Sequence, residues 1–136
     1  MSQEILSYST SLMATNPKLL QGKVAAITGG LTGIGRAIAI GFMQHGCKVA
    51  INHLDGPSDE QALQSLHTEL RGFVPGFLTV SGDISRPESG KHLVEVTVRQ
   101  WGRLDILVSN AGICQFAEFL RYAQNYSSFG LISSFT

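Results

Sequence analysis

From Lys23 onward, short and nearly continuous apolar runs alternate with longer stretches whose apolar residues recur every three or four positions. Parallel strands covered on both faces produce the first pattern and amphipathic helices the second, so the alternation predicts β-α-β units. Lys23–Thr28 (KVAAIT) predicts a first, central strand. Ile34–His45 predicts a helix, with Ile34, Ala37, Ile38 and Phe42 on its apolar face and Gly46 placed to end it. Lys48–Asn52 predicts the second strand. Asp55-Gly56-Pro57 signals a turn, and Ser58 with Gln61 makes a capping-box pattern opening a helix through Leu63, Leu66 and Leu70. Gly76–Ser81 predicts the third strand. Ser85 with Glu88 repeats the capping-box pattern, with Pro87 in the first turn, for a helix through Leu93, Val96 and Val98 to about Trp101. Leu104–Ser109 (LDILVS) predicts the fourth strand.

Four strands joined by three helices make one half of a Rossmann-like, doubly wound α/β parallel sheet, with strand order 3-2-1-4. Right-handed crossovers place the first two helices on one face and the third on the other. The ligand crevice then falls at the switch point, above the carboxyl ends of strands one and four. This half-domain spans residues 22–120. Residues 1–21, rich in Ser and Thr, have neither the apolar core of a secretory signal nor the early arginines of a mitochondrial presequence. They are expected to be a disordered leader. After Arg121 the periodicity stops, and residues 121–136 (RYAQNYSSFGLISSFT, from Arg121) are expected to be a tail foreign to the fold, the product of an alternative ending.

Composition narrows the partners. Of 136 residues 43% are hydrophobic, enough for one globular core, and ten Lys and Arg balance ten Asp and Glu. No net field draws the chain to nucleic acid or to an anionic membrane, and no apolar run reaches membrane-spanning length. The expected partners are therefore small molecules. Cys47 and Cys114 are too few and too far apart for a disulfide framework or a zinc knuckle, which suits a reducing, cytoplasmic setting. His45, His67 and His92 lack metal-ligand spacing, so no metal site is expected.

The loop after the first strand reads Thr28-Gly29-Gly30-Leu31-Thr32-Gly33-Ile34-Gly35. Its glycines permit a sharp turn, close approach of a pyrophosphate and tight packing of the next helix, whose free amides then face the phosphates. A plain tight turn explains the same glycines; the strand before, the helix after and the β-α-β length favour phosphate binding. Asn52, with His53 beside it, stands where a carboxylate would read the ribose hydroxyls of NAD. That leans the cofactor toward NADP, with NAD also accepted, although Thr32 occupies the loop position where an arginine would favour NADP.

TGxxxGIG after the first strand, with Asn110-Ala111-Gly112 after the fourth, resembles the short-chain dehydrogenase/reductase family over about residues 20–120. Within it, the stretches GKVAAITGGLTGIGRAIAIGF and KVAINHLDGP are most similar to sugar 1-dehydrogenases. The resemblance implies an NAD(P)-dependent oxidoreductase acting on a sugar or another alcohol, homo-oligomeric at full length. It also implies dinucleotide contacts at Thr28, Gly29, Leu31, Thr32, Gly33, Ile34, Asn52, His53, Asp83, Ile84, Asn110, Ala111 and Gly112. Asp83 would contact the adenine, and the 110–112 segment would line the adenosine ribose and steady the sheet. Asp83 is equally readable as a turn residue before Ser85. Ser109 stands where the family often has Asn.

The family's chemistry runs through Tyr-x-x-x-Lys, the lysine lowering a tyrosine pKa that is otherwise about 10. Here the last lysine is Lys91, Tyr122 is followed four places on by Tyr126, and Tyr126 by Gly130. No residue of this chain is therefore expected to be catalytic. The chain is expected to bind a dinucleotide without turning over a substrate; the alternatives are a non-catalytic truncated isoform and a splice product without a function. The fourth strand is expected to present an apolar edge at Leu104, Ile106, Leu107 and Val108.

Overall fold

The structure is a computed structural model that describes residues 18–73 and 76–113. Its elements run β1 (Val24–Ile27), α1 (Gly33–Gln44), β2 (Lys48–His53), α2 (Asp59–Glu69), a 3-10 turn (Arg71–Phe73), β3 (Phe77–Ser81), α3 (Pro87–Trp101) and β4 (Ile106–Val108). The strands form one parallel sheet in the order β3-β2-β1-β4, the predicted doubly wound half. Ala26 stands between Ala50 on β2 and Leu107 on β4, which fixes the register at the centre of the sheet.

The strand side chains sort onto two covered faces. Ala25, Ile27, Val49 and Ile51 pack with Ala39 and Met43 of α1 and Leu66 and Leu70 at α2. Ala26, Ala50 and Val80 pack with Leu93 of α3 on the opposite face. Ile27, Ile51 and Leu66 are fully buried, and each contributes roughly 1.5–3 kcal/mol relative to exposure. Because β1 is buried along its whole length, it serves as the rigid rod from which the next loop projects.

The helix starts depart from the sequence expectation. Neither Ser58 nor Ser85 makes a capping box. Ser58 has helical backbone angles and no side-chain cap, while Asp59 accepts the backbone N–H groups of Asp55 (2.8 Å) and Gly56 (3.0 Å). Arg86 is the residue before α3, with Pro87 in its first turn, and Ser85 is instead bonded to Asp83. A carboxylate accepts two N–H groups more strongly than a hydroxyl does, and Pro needs no amide partner at the first helical position.

The apolar face of α1 is the expected one only in part: Ile38 and Phe42 pack against the core, but the fully buried stripe is a different one. It runs Gly35, Ala39, Met43, while Ile34 is 75% exposed and Ala37 faces solvent. The cause is Gly35, where a Cβ would run into the carbonyl oxygen of Gly29 and, at 2.5 Å, the Asn110 amide nitrogen. Only glycine fits there, so this position faces inward and Ile34 outward.

Two ends of the domain complete the picture. Lys18–Gln21, assigned from sequence to the leader, form a turn in which Leu20 N–H donates to His45 O (2.9 Å) and the Leu20 side chain packs against the core. At the other side β4 pairs with β1, and among the described residues no strand lies beyond it. Leu107 is 59% exposed there, on the face where Val94 and Val98 of α3 are also partly open. The expected tail, 121–136, lies outside the described residues.

Candidate functional site

A cleft of about 940 Å³ opens above the carboxyl ends of β1, β2, β3 and β4. The β1–α1 loop forms its floor. Thr28 leaves the strand with its N–H on Val108 O (3.0 Å), and Gly29 turns through φ +61°, a conformation open to glycine. Gly30 N–H donates to Asn52 O (3.1 Å), tying the loop back to β2.

At the end of the loop, Thr32 precedes α1 with extended backbone and no side-chain cap, and the first turn carries no acid. The leading N–H groups of α1 therefore have no side-chain acceptor, in contrast to α2, which begins with Asp59 and Glu60. With the positive end of the helix dipole, they make a cradle for an anionic oxygen. Gly33 adds to it: φ is +55° and the space where a Cβ would stand is open.

The loop after β4 is stapled to this floor. Asn110 donates its side-chain amide to the carbonyls of Thr28 (3.0 Å) and Gly29 (3.1 Å). The Thr28 hydroxyl in turn accepts the backbone N–H groups of Asn110 and Ala111, each at 3.0 Å. Six backbone and side-chain groups are thereby fixed at the switch point of the sheet, where doubly wound folds bind ligands.

The walls come from β2 and β3. Asn52 is buried, and its amide nitrogen donates to Val80 O (3.3 Å) and Gly82 O (2.9 Å). Both of its N–H groups are thus spent inside the sheet and are not open to a 2'-phosphate. His53 is 7% exposed, with Nδ1 accepting Asp55 N–H at 3.2 Å and lying 3.5 Å from Asp59 Oδ2. The N–H groups of Gly56 and then Asp55, with His53 adding, hold the Asp59 carboxyl below its ordinary pKa. Asp83 accepts the Ser85 hydroxyl (2.7 Å) and the Ser85 N–H (3.0 Å), and these bonds lower its pKa also. The turn role open to Asp83 in the sequence is therefore formed, at the rim of the cleft.

Of the residues singled out from sequence, Thr28, Gly29, Leu31, Thr32, Ile34, Asn52, His53, Asp83, Ile84, Asn110, Ala111 and Gly112 line this one cleft. Gly33 is not part of its lining and stands at the start of α1. Leu54, Asp59, Gly82, Ser85, Ser109 and Ile113 also line it, and sequence reasoning missed them. Asp59 was within reach of it: an acid at the first position of a helix, just past a strand end, is a recognisable signal.

Comparison with known proteins agrees with this geometry. L-rhamnose-1-dehydrogenase of Scheffersomyces stipitis is 53% identical over 104 residues, which are 75% of this chain and 40% of that protein. The L-rhamnose 1-dehydrogenase (NAD(P)(+)) of a Sphingomonas species is 46% identical over 105 residues, 76% of this chain and 39% of that protein. The chain thus spans about two fifths of the length of these relatives. Among solved structures, that of gox2181 superposes with a TM-score of 0.61 at 35% identity, over 72% of this chain and 37% of that one. Residues 23–127 match the short chain dehydrogenase family, a little further than the 20–120 expected from sequence. With its parallel 3-2-1-4 sheet, its glycine loop and three quarters of its length matched, the chain belongs to the short-chain dehydrogenase family.

Proposed function

We propose that the cleft holds the nicotinamide dinucleotide of an NAD(P)-dependent sugar dehydrogenase, and that L-rhamnose is the class of sugar served by the whole protein. The observation that carries this reading is the uncapped start of α1 beneath Gly29 and Gly33. The pyrophosphate would lie against those N–H groups. The ribose of the adenosine half would lie toward the ends of β1 and β2, and the adenine between Asp83, Ile84 and the β2 end. The Asn110-Ala111-Gly112 loop would line the adenosine ribose and border the path from it toward the nicotinamide. Bound there, the dinucleotide supplies hydride transfer to or from a carbon bearing oxygen.

This chain's own residues bind and orient. Asn110 and Thr28 hold the two loops of the switch point at fixed separation, so the cradle is formed before a ligand arrives and little is lost in ordering it. No acid or base is positioned by the 136 residues in a Tyr-x-x-x-Lys pair, so the chain is expected to bind without turning over a sugar. The sugar assignment rests on the two relatives named above. The buried, unpaired thiol of Cys47 suits a reducing compartment such as the cytoplasm.

The test is titration of the purified chain with NADH and NADPH, followed by nucleotide fluorescence. Gly33→Val should abolish binding, because a branched side chain would stand at the phosphate cradle. Gly22→Val is the control: Gly22 has φ +76° and open space around it, at the opposite end of β1. Equal affinities for wild type and Gly33→Val, or equal losses in both variants, would refute the site.

A further inference from the structure

The sequence leaves the end of β2 without a carboxylate, because Asn52 and His53 occupy it. The fold brings one back from the next element. Asp59 begins α2, yet its carboxylate reaches to 3.5 Å from His53 Nδ1 and lines the same cleft. We propose that Asp59, set beside His53 at the carboxyl end of β2, reads the 2' position of the adenosine ribose and selects NAD(H) over NADP(H). The inference rests on the dinucleotide reading of the cleft.

The geometry of the pair supports a role toward a ligand. Asp59 Oδ2 is fixed by the N–H groups of Asp55 and Gly56, which leaves Oδ1 without a hydrogen bond from the described residues. His53 is more than nine-tenths buried, and its Nδ1 is taken by Asp55 N–H. Its Nε2 has no hydrogen-bond partner among the described residues. An acceptor oxygen and an imidazole nitrogen thus stand together at the strand end toward which the adenosine ribose points. A ribose hydroxyl can donate to the carboxylate. A 2'-phosphate has no proton to donate at neutral pH and meets a like charge instead.

Beside His53, no cation of the described cleft lining offsets that charge. The described residues lining the cleft include Asp59 and Asp83 and no lysine or arginine. Arg36, one turn into α1, is committed to Glu69 (2.7 Å) and Ser65 (2.9 Å) on α2. Arg86 lies 4.0 Å from Asp83 and outside the cleft lining. NADP sites need a cation at the 2'-phosphate, and Asn52 has already spent its donors on β3. These observations favour NAD(H), against the lean toward NADP that the absence of a carboxylate at Asn52 suggested in the sequence.

The experiment uses the whole chain and two nucleotides, NADH and NADPH, titrated by fluorescence at low and high salt. A unit charge about 5 Å from a phosphate dianion in a water-like medium corresponds to roughly tenfold in affinity. Wild type should bind NADH about tenfold more tightly than NADPH, and the ratio should shrink at about 0.5 M salt as the repulsion is screened. Asp59→Asn keeps the side chain's shape and an acceptor for Asp55 and Gly56, removes the charge, and should bring the two affinities close to parity by tightening NADPH. Leu54→Arg, at an exposed position lining the cleft, should tighten NADPH without touching Asp59, and serves if Asp59→Asn fails to fold. A wild-type ratio at or below one, or a ratio unchanged by salt and by both variants, overturns the assignment to Asp59 while leaving the cleft a dinucleotide site. Absence of binding for either nucleotide overturns the dinucleotide reading and this selectivity together.

Discussion

The side-chain amide of Asn110 donates to the carbonyl oxygen of Thr28 at 3.0 Å, while the Thr28 hydroxyl accepts the Asn110 backbone N–H at the same distance. This reciprocal pair joins two loops 82 residues apart in sequence, and it positions the cleft floor. Asn110→Ala removes two side-chain hydrogen bonds and is expected to cost about 2–3 kcal/mol, since each partly buried bond contributes near 1 kcal/mol and its carbonyl partners lose their donor. Thr28→Val should cost a similar amount, by freeing the N–H groups of Asn110 and Ala111. The double variant should lose less than the sum, because both substitutions dismantle one staple. Urea unfolding of the four proteins checks this, and strict additivity would contradict it.

Two glycines of α1 are predicted to respond in opposite directions. At Gly35 a Cβ would meet the backbone carbonyl of Gly29, and backbone cannot swing aside as a flexible side chain does. Gly35→Ala should therefore destabilise by about 1–3 kcal/mol or more. Gly41 lies in the same helix with open space around it and no positive φ. Gly41→Ala should stabilise by about 0.5–1 kcal/mol through the unfolded chain's lost freedom. Thermal unfolding of the pair decides the matter, and a shift of the same sign in both would show that the α1 packing is misassigned.

The contrast between these glycines explains what the sequence could and could not convey. Strand order and strand identity were legible because Val24–Ile27 and Lys48–His53 are apolar runs whose periodicity has one reading. The face of α1 was legible only through Ile38 and Phe42, since Ile34 scores as apolar while the decisive residue, Gly35, has no side chain to score. The glycine loop and Asn110 could be placed at a common crevice by topology alone. Asp59 was readable as an acid opening α2 near the end of β2, but its approach to His53 was not, because that depends on the Asp55–Gly56 turn, with Asp55 at φ +71°. Hydrogen bonding likewise decided Asn52: nothing in its position along the chain says that its amide turns inward to Val80 and Gly82.

Cys47 is expected to be chemically quiet in the folded chain. Burial, followed by the negative field of Asp105, pushes its thiol up to about 11. At pH 8 the thiolate that would attack a reagent is therefore scarce, and access is closed as well. Because the neutral thiol is the favoured form in the fold, its contribution to stability is complete below the unfolded thiol's pKa and is lost as pH rises from about 9 toward 11. Reaction with a disulfide reagent should be slow in buffer and fast in urea, read at Cys47 by peptide mapping so that Cys114 is scored separately. Equal rates in both conditions would show that the thiol is not enclosed.

Asp105 should make the chain acid-sensitive. It sits just before β4 and closes the sheet at the amino end: Oδ2 accepts Val24 N–H at 2.9 Å, and Asp105 N–H returns to Val24 O at 2.9 Å. The Arg103 guanidinium, bonded to both carboxylate oxygens, is the main cause holding the Asp105 carboxyl below its ordinary pKa, and the Val24 N–H adds to it. A carboxyl whose pKa is depressed by folding binds its proton more readily when unfolded. Its stabilisation is thus complete above the ordinary carboxylate value of about 4 and disappears as pH falls through the lower, folded value. Asp105→Asn keeps the shape but has no charge to lose, so the wild type should exceed it in stability at pH 6–7, and the gap should narrow as pH falls below about 4. Arg103→Ala should move that loss to higher pH by removing the main cause of the depression, while leaving the Val24 bond in place. Melting curves collected across this range for the three proteins provide the check. A wild-type advantage over Asp105→Asn that is undiminished at pH 2.5 would mean that packing, rather than the charge facing Val24 and Arg103, makes Asp105 matter.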